Sequence, residues 1–216
     1  MSVSKPLIVK YDLISQKTIR DYIEDKGLQI QADFDRLATT CYKTSEKETY
    51  LTHSKTFSVA ADVETVWHTY LNIPPRDTWK CNIVSFGCMY CKKSKALSYV
   101  DDTYHGLREG QVLFLNISLF WGKVNIAVAH QITRINEVEK YIEFSYIEGG
   151  KTEGSQRLTF RESAANQTEV THVTTYRGTT KSYLREQLLY PFLHGKVIAA
   201  FHRNVKQKIA SVLAGK

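Results

Sequence analysis

The chain has 216 residues, 43% of them hydrophobic and 24% charged, with 11 glycines and 4 prolines. Those values exclude collagen-like and low-complexity classes, and a globular chain of this size buries about 70% of the surface its unfolded form exposes, so it needs neither disulfide nor metal to fold. The net charge is +7, and all of the excess lies in one C-terminal segment, where Arg177, Lys181, Arg185, Lys196, Arg203, Lys206, Lys208 and Lys216 face Glu186 alone.

Met1 to Pro6 carries no basic stretch leading into an apolar one, as a secretory signal would. No apolar run approaches the ~20 residues a membrane-spanning helix requires. A cytoplasmic protein is expected, with its four cysteines as free thiols. Residues 1–49 read as a partly helical N-terminal extension. Ile19, Tyr22 and Ile23 share a face of a short amphipathic helix that Gly27 closes, Asp33 to Leu37 forms a further turn, and Lys43 to Glu48 is a polar connection.

The pattern sharpens where the main domain begins, over residues 50–216. Thr56 to Val59 alternates as a strand. Asp62 is a suitable N-cap for a helix through Val63, Val66, Trp67 and Tyr70, which Pro74-Pro75 ends, and a second short helix runs on to Trp79. Strands begin near Ile83. Gln111 to Trp121 is a long β-type run, apolar on both faces, and Gly122 turns it. Val124, Ile126, Val128, His130 and Ile132 then alternate with Asn125, Ala127, Ala129, Gln131 and Thr133. Asn136-Glu137, Gly149-Gly150 and Ala164 to Gln167 supply the turns between the next strands, which place Ile142, Phe144 and Tyr146, then Gln156, Leu158 and Phe160, then Val170, His172, Thr174 and Tyr176 on single faces. This is an antiparallel meander.

After Thr179-Thr180 the period changes to helical through Val197, Phe201, Val205 and Ile209, with Lys196, Arg203, Lys206 and Lys208 off the apolar stripe. Pro191 divides a short helix beginning at Tyr183 from the long final one. Gly195 inside that helix costs about 1 kcal/mol and points to a kink or a close approach. The basic face is suited to anionic lipid, nucleic acid or an acidic partner, but no nucleic-acid motif accompanies it, and a solvated face whose late lysines favour the helix dipole explains it as well.

In this order of elements, Phe57 to Trp67, the strand ending Gln131 to Ile135, and Thr168 to His172 leading into the last helix resemble the START-like (SRPBCC) superfamily, which includes Bet v 1-like proteins and polyketide cyclases or dehydrases. The resemblance implies an α+β helix-grip fold: a curved antiparallel sheet wrapped around a long C-terminal helix, here with an N-terminal extension. It also implies a deep apolar cavity between sheet and helix for lipids, sterols or polyketide-like molecules, with no metal, no cofactor and no shared catalytic residue.

Cys88 and Cys91 form a CxxC, but no second pair at finger spacing follows, and on a strand the two thiols diverge. No phosphate loop, HExxH or GxSxG occurs. His130 and His172 interrupt inward strand faces, as do Tyr146, Gln156 and Tyr176. Buried unpaired, each would cost about 1–3 kcal/mol, so they either satisfy one another or orient the polar end of a ligand. Trp67, Trp79, Phe114, Leu119, Trp121 and Phe144, with Leu189, Phe192, Leu193, Val197 and Phe201 near the last helix, are the expected apolar walls, and His194 and His202 lie beside them. The expected function is carriage or sensing of a small hydrophobic ligand, with transient docking on an anionic membrane surface as an accompaniment. The alternatives are a cyclase or dehydratase using an inward histidine as general acid/base, and an adaptor binding protein or RNA through the basic helix. The adaptor predicts a filled interior.

Overall fold

Asp62 sets the first landmark. Its carboxylate accepts the Thr65 N–H at 2.8 Å and the Thr65 hydroxyl at 2.7 Å, an N-cap that stabilises α2 (Val63–Asn72) by about 1 kcal/mol. Ile73 and Pro74 end that helix, and Pro75 occupies the first turn of α3 (Pro75–Thr78), where a missing N–H goes unmissed. The computed structural model describes residues 7–179 and 189–215. Upstream of α2 lie α1 (Lys17–Asp25) and β1 (Leu51–Val59), and downstream come β2 (Lys80–Cys81), β3 (Val84–Cys91), β4 (Ala96–Tyr99), β5 (Gln111–Leu119), β6 (Val124–Asn136), β7 (Tyr141–Tyr146), β8 (Thr152–Ala164), β9 (Gln167–Gly178) and α4 (Tyr190–Ala214).

The described strands form one open antiparallel sheet in the order β1-β9-β8-β7-β6-β5-β3-β2, with β4 beside β3. The first strand returns to pair with the last, Leu51 opposite Tyr176 and Phe57 opposite Val170. Register shifts at Phe86/Cys88, Ile132/Arg134 and Glu162/Ala164 mark bulges, which bend and twist the strands that carry them. Val197, Phe201, Val205 and Ile209 of α4 pack with Trp67, Tyr70, Trp79, Phe144 and Phe160 in one core. This is the helix-grip α+β architecture.

A second core lies on the other face of the sheet. Ile14, Ile19, Ile23, Leu28 and Phe34, from the segment before β1, pack with Cys88, Tyr90, Val112, Phe114 and Ala129. That covering is why β5 is apolar on both sides: Leu113 and Leu115 belong to the α4 core, and Val112 and Phe114 to the outer one. Helix α1 ends as its sequence predicts, with Gly27 at φ +63°, its N–H on Glu24 O and the Leu28 N–H on Ile23 O.

Several expectations need correction. The polar connection from Lys43 to Glu48 is a 3-10 helix, Thr44–Thr49. Pro191 sits in the first turn of the last helix, where the long final helix was expected to begin, and the short helix expected from Tyr183 lies outside the described residues. So do Met1 to Pro6, Lys181, Arg185, Glu186 and Lys216. Arg177 is no part of a free basic face, since it pairs with Glu46 at 2.6 Å and Glu153 at 2.9 Å. The last turn of α4 holds no basic residue, so no lysine there complements the helix dipole. Gly195 marks a close approach: Lys55 Nζ donates to its carbonyl at 3.3 Å, and a Cβ there would meet that Nζ at 2.9 Å. Among the described residues no helix is long and apolar enough to cross a membrane.

Candidate functional site

Where α4 crosses the sheet, the two do not close completely, and a cavity of about 260 Å³ remains. Its apolar walls are Leu115, Ile117 and Leu119 of β5, Ile126 and Val128 of β6, Leu193, Val197 and Ile198 of α4, and Trp79. One side is polar, formed by His130, Tyr146, Gln156, Tyr190 and His194. A smaller pocket of about 50 Å³ adjoins it through Trp79, Leu115 and His130 and reaches Phe144 and Phe201. An apolar pocket with a few convergent polar groups is the usual form of a small-molecule site.

The polar side is one connected network. The period-2 alternation of β6, β8 and β9 points His130, Gln156 and His172 inward together, and α4 adds His194 and His202. Tyr70 Oη lies 2.6 Å from His202 Nδ1, and His202 Nε2 lies 3.0 Å from His172 Nδ1. His172 Nε2 reaches Gln156 Oε1 at 2.8 Å, as do His194 Nε2 at 3.1 Å and Thr174 Oγ1 at 3.3 Å. Gln156 Nε2 donates to Tyr146 Oη at 3.1 Å and lies 3.0 Å from His130 Nε2. Tyr146 in turn shares a hydrogen bond with Tyr190. Among the described residues, no group of His, Cys, Asp and Glu is arranged to hold a metal ion.

Burial keeps these groups neutral. It pushes His130, His194 and His202 down to about 3, with His53 and His130 adding to the effect on His194 and Lys206 to that on His202. His172 is driven well below the usual histidine range by burial first and then by the surrounding histidines. Burial raises Tyr70, Tyr146 and Tyr190. Neutral histidines each have one donor and one acceptor nitrogen. The Gln156 amide oxygen can only accept, so His172 Nε2 carries its proton and His172 Nδ1 accepts from His202, whose own Nδ1 then accepts from the Tyr70 hydroxyl, while the Gln156 amide nitrogen can only donate. The protons therefore run one way: Tyr70 O–H to His202, His202 Nε2–H to His172, His172 Nε2–H to Gln156, and Gln156 Nε2–H to His130.

The expected wall residues divide into three groups. Trp79, His130, Tyr146, Gln156, Leu193 and Val197 line the larger cavity, as do Leu119 and Leu189, and Phe144 and Phe201 line its smaller neighbour. His172 and Tyr176 stand behind the lining. His172 acts through Gln156, and Tyr176 stacks on Tyr190 at 4.0 Å. Four residues are elsewhere. Phe114 points to the outer core beneath the N-terminal segment. Trp121, at φ +57° in the β5–β6 turn, is 98% exposed. Trp67 is fully buried in the core, its Nε1–H held by Glu137 at 2.8 Å. Phe192 is exposed beside Lys196. Tyr70, Tyr190 and His53 were missed. Tyr70 belongs to a helical stripe that reads as plain core, and His53 meets His194 across 141 residues of sequence, at 3.4 Å.

No protein-family model matches the chain, and no curated protein does. Solved structures do. Norcoclaurine synthase from Thalictrum flavum, in complex with dopamine and hydroxybenzaldehyde, is 12% identical with a TM-score of 0.54, over 82% of this chain and 96% of that one. A major latex-like protein from Panax ginseng is 13% identical with a TM-score of 0.50, over 74% and 97%. An aromatase/cyclase from Streptomyces is 12% identical with a TM-score of 0.51, over 74% and 94%. At such identities the likeness is one of fold, and the fold is that of START-like, Bet v 1-like proteins.

Proposed function

We propose that the protein binds a small hydrophobic ligand non-covalently in the cavity between the sheet and α4. The observation that carries this reading is the 260 Å³ hollow itself, lined mostly by apolar side chains and also by members of the polar network. Removing about 200 Å² of apolar surface from water contributes ~5 kcal/mol at 25 cal/mol per Å², a dissociation constant of order 0.1 mM from burial alone. The polar side then sets orientation and selectivity. Small aromatic compounds in the related norcoclaurine synthase structure support ligands of that scale.

The network weighs against an acid–base role for its histidines. His130 has its lone pair on Nε2 occupied by the Gln156 amide, and both nitrogens of His172 are engaged. A neutral imidazole N–H is a hydrogen-bond donor and a very weak acid. The adaptor reading requires a filled interior, which the hollow does not supply. Native mass spectrometry of the purified protein followed by organic extraction, with titration of a lipophilic dye, tests the proposal. A stoichiometric lipophilic adduct or saturable dye binding is expected, and the absence of both overturns it.

A further inference from the structure

His130 is the end of the hydrogen-bond chain and the part of it left open. Its Nε2 accepts from Gln156, so the proton sits on Nδ1. That Nδ1 is buried with no hydrogen-bond partner among the described residues, in a side chain only 8% exposed that lines both adjoining pockets. A buried donor without an acceptor is costly, and native structures seldom keep one unless something else satisfies it.

We infer that the ligand is a compact carbonyl compound, one or two apolar rings bearing a neutral C=O, whose oxygen accepts the Nδ1–H of His130 as a small shift of the imidazole brings that atom to the cavity surface. This rests on the hydrophobic-ligand reading and narrows it. The donor is neutral, so a carboxylate would shed its water for an uncharged partner, an expensive exchange. Lys151, the cation among the described lining residues, is exposed in the turn before β8. An amine or ammonium ligand is a donor and leaves Nδ1–H unmet. A volume of 260 Å³ lies just under the usual range for drug-sized ligands, which excludes a two-chain lipid and suits a fused ring pair. The chain behind His130 strengthens the contact, because donors linked head to tail polarise one another. It does not relay protons, since the Gln156 amide stands in its middle.

Three probes displacing Nile red from the full chain test this: 1-tetralone, tetralin (the same frame without oxygen) and 1-naphthoate. Tetralone is expected to bind about tenfold tighter than tetralin, the gain of one buried hydrogen bond. The preference should shrink to within about twofold in His130→Phe. In the unmutated protein, labelled with 15N-histidine, the His130 Nδ1–H resonance should move with tetralone and hold with tetralin, which decides the matter even if His130→Phe fails to fold. Equal affinity for tetralone and tetralin overturns the carbonyl inference and leaves hydrophobic binding intact. Naphthoate binding tighter than tetralone overturns the neutral class. Dye that binds but yields to none of the three overturns the compact frame. Dye that does not bind at all overturns the hydrophobic-ligand reading.

Discussion

Gln156 Nε2 donates to His130 Nε2 over 3.0 Å, and this one contact decides which nitrogen of His130 carries its proton. The same amide receives His172 and His194 on its oxygen, so a single residue of β8 joins three strands and α4. An amide transmits polarisation and not protons at neutral pH. The cluster therefore fixes the tautomer of His130, a residue that lines the cavity.

Replacing Gln156 with leucine keeps much of the volume and removes both ends of that junction. The N–H groups of His172 and His194 lose their acceptor, and His130 and Tyr146 lose their donor. With about 1–3 kcal/mol for each buried group left unpaired, Gln156→Leu should destabilise by at least about 3 kcal/mol, read as a lowered urea midpoint at unchanged slope. A loss below about 1 kcal/mol would mean that water already satisfies these groups. In a His172→Leu background the same change should cost distinctly less, since the two residues share one hydrogen bond.

The buried histidines also set an acid limit. His130, His194 and His202 titrate near 3 when folded, and His172 lies well below its ordinary 6.5. The unfolded chain takes up protons near 6.5 while the fold refuses them. Their stabilising effect is therefore complete above about pH 6.5 and lost as pH falls toward 3. Each such histidine contributes about 1.4 kcal/mol per pH unit inside that window. The melting temperature should be flat from pH 8 to 7 and fall steeply between 6.5 and 5, before the carboxylates begin to titrate. A flat profile down to pH 5 would show the imidazoles to be hydrated.

The outer core tolerates little added volume where α1 meets β3. A Cβ on Gly87 would lie 2.4 Å from Ile19 Cδ1 and 3.1 Å from Gln16 Oε1. Gly87→Ala should therefore cost about 1–3 kcal/mol as an overpacked site. Ile19→Ala alone removes a fully buried side chain and should cost about 2–5 kcal/mol. Together they should cost clearly less than their separate effects combined, measured as a double-mutant cycle by urea denaturation. Simple additivity would mean that α1 does not rest on Gly87 in solution.

The alternation of His130, Gln156, His172 and Tyr146 was readable because strand faces repeat every second residue, so any polar side chain on an apolar face announces itself. Phe114 was read to the wrong face for the same reason. β5 is apolar on both sides, and nothing in its own period says which side meets α4 and which meets Phe34 and Ile23. Trp121 continued an apparent strand that in fact ends at Leu119, where Phe120, Trp121 and Gly122 all adopt positive φ. The links from Tyr70 to His202 and from His53 to His194 join residues more than 130 apart in sequence, and local periodicity carries no trace of them.

The three tryptophans offer a position-specific check on where a ligand sits. Trp121 is 98% exposed, Trp67 is fully buried and Trp79 is 8% exposed. Trp79 alone lines the cavity, its ring 4.5 Å from that of Phe201, while Trp67 is pinned by Glu137 and lies under Lys140. Iodide should quench Trp121 selectively, and a cavity ligand should change the emission that iodide leaves behind. Trp79→Phe should abolish that ligand-dependent change. Trp121→Phe should preserve it and alter stability by no more than about 0.5 kcal/mol, as for an ordinary surface substitution. A response that survives in Trp79→Phe and vanishes in Trp121→Phe would place the ligand at the exposed tip of the β5–β6 hairpin, outside the hollow beneath α4.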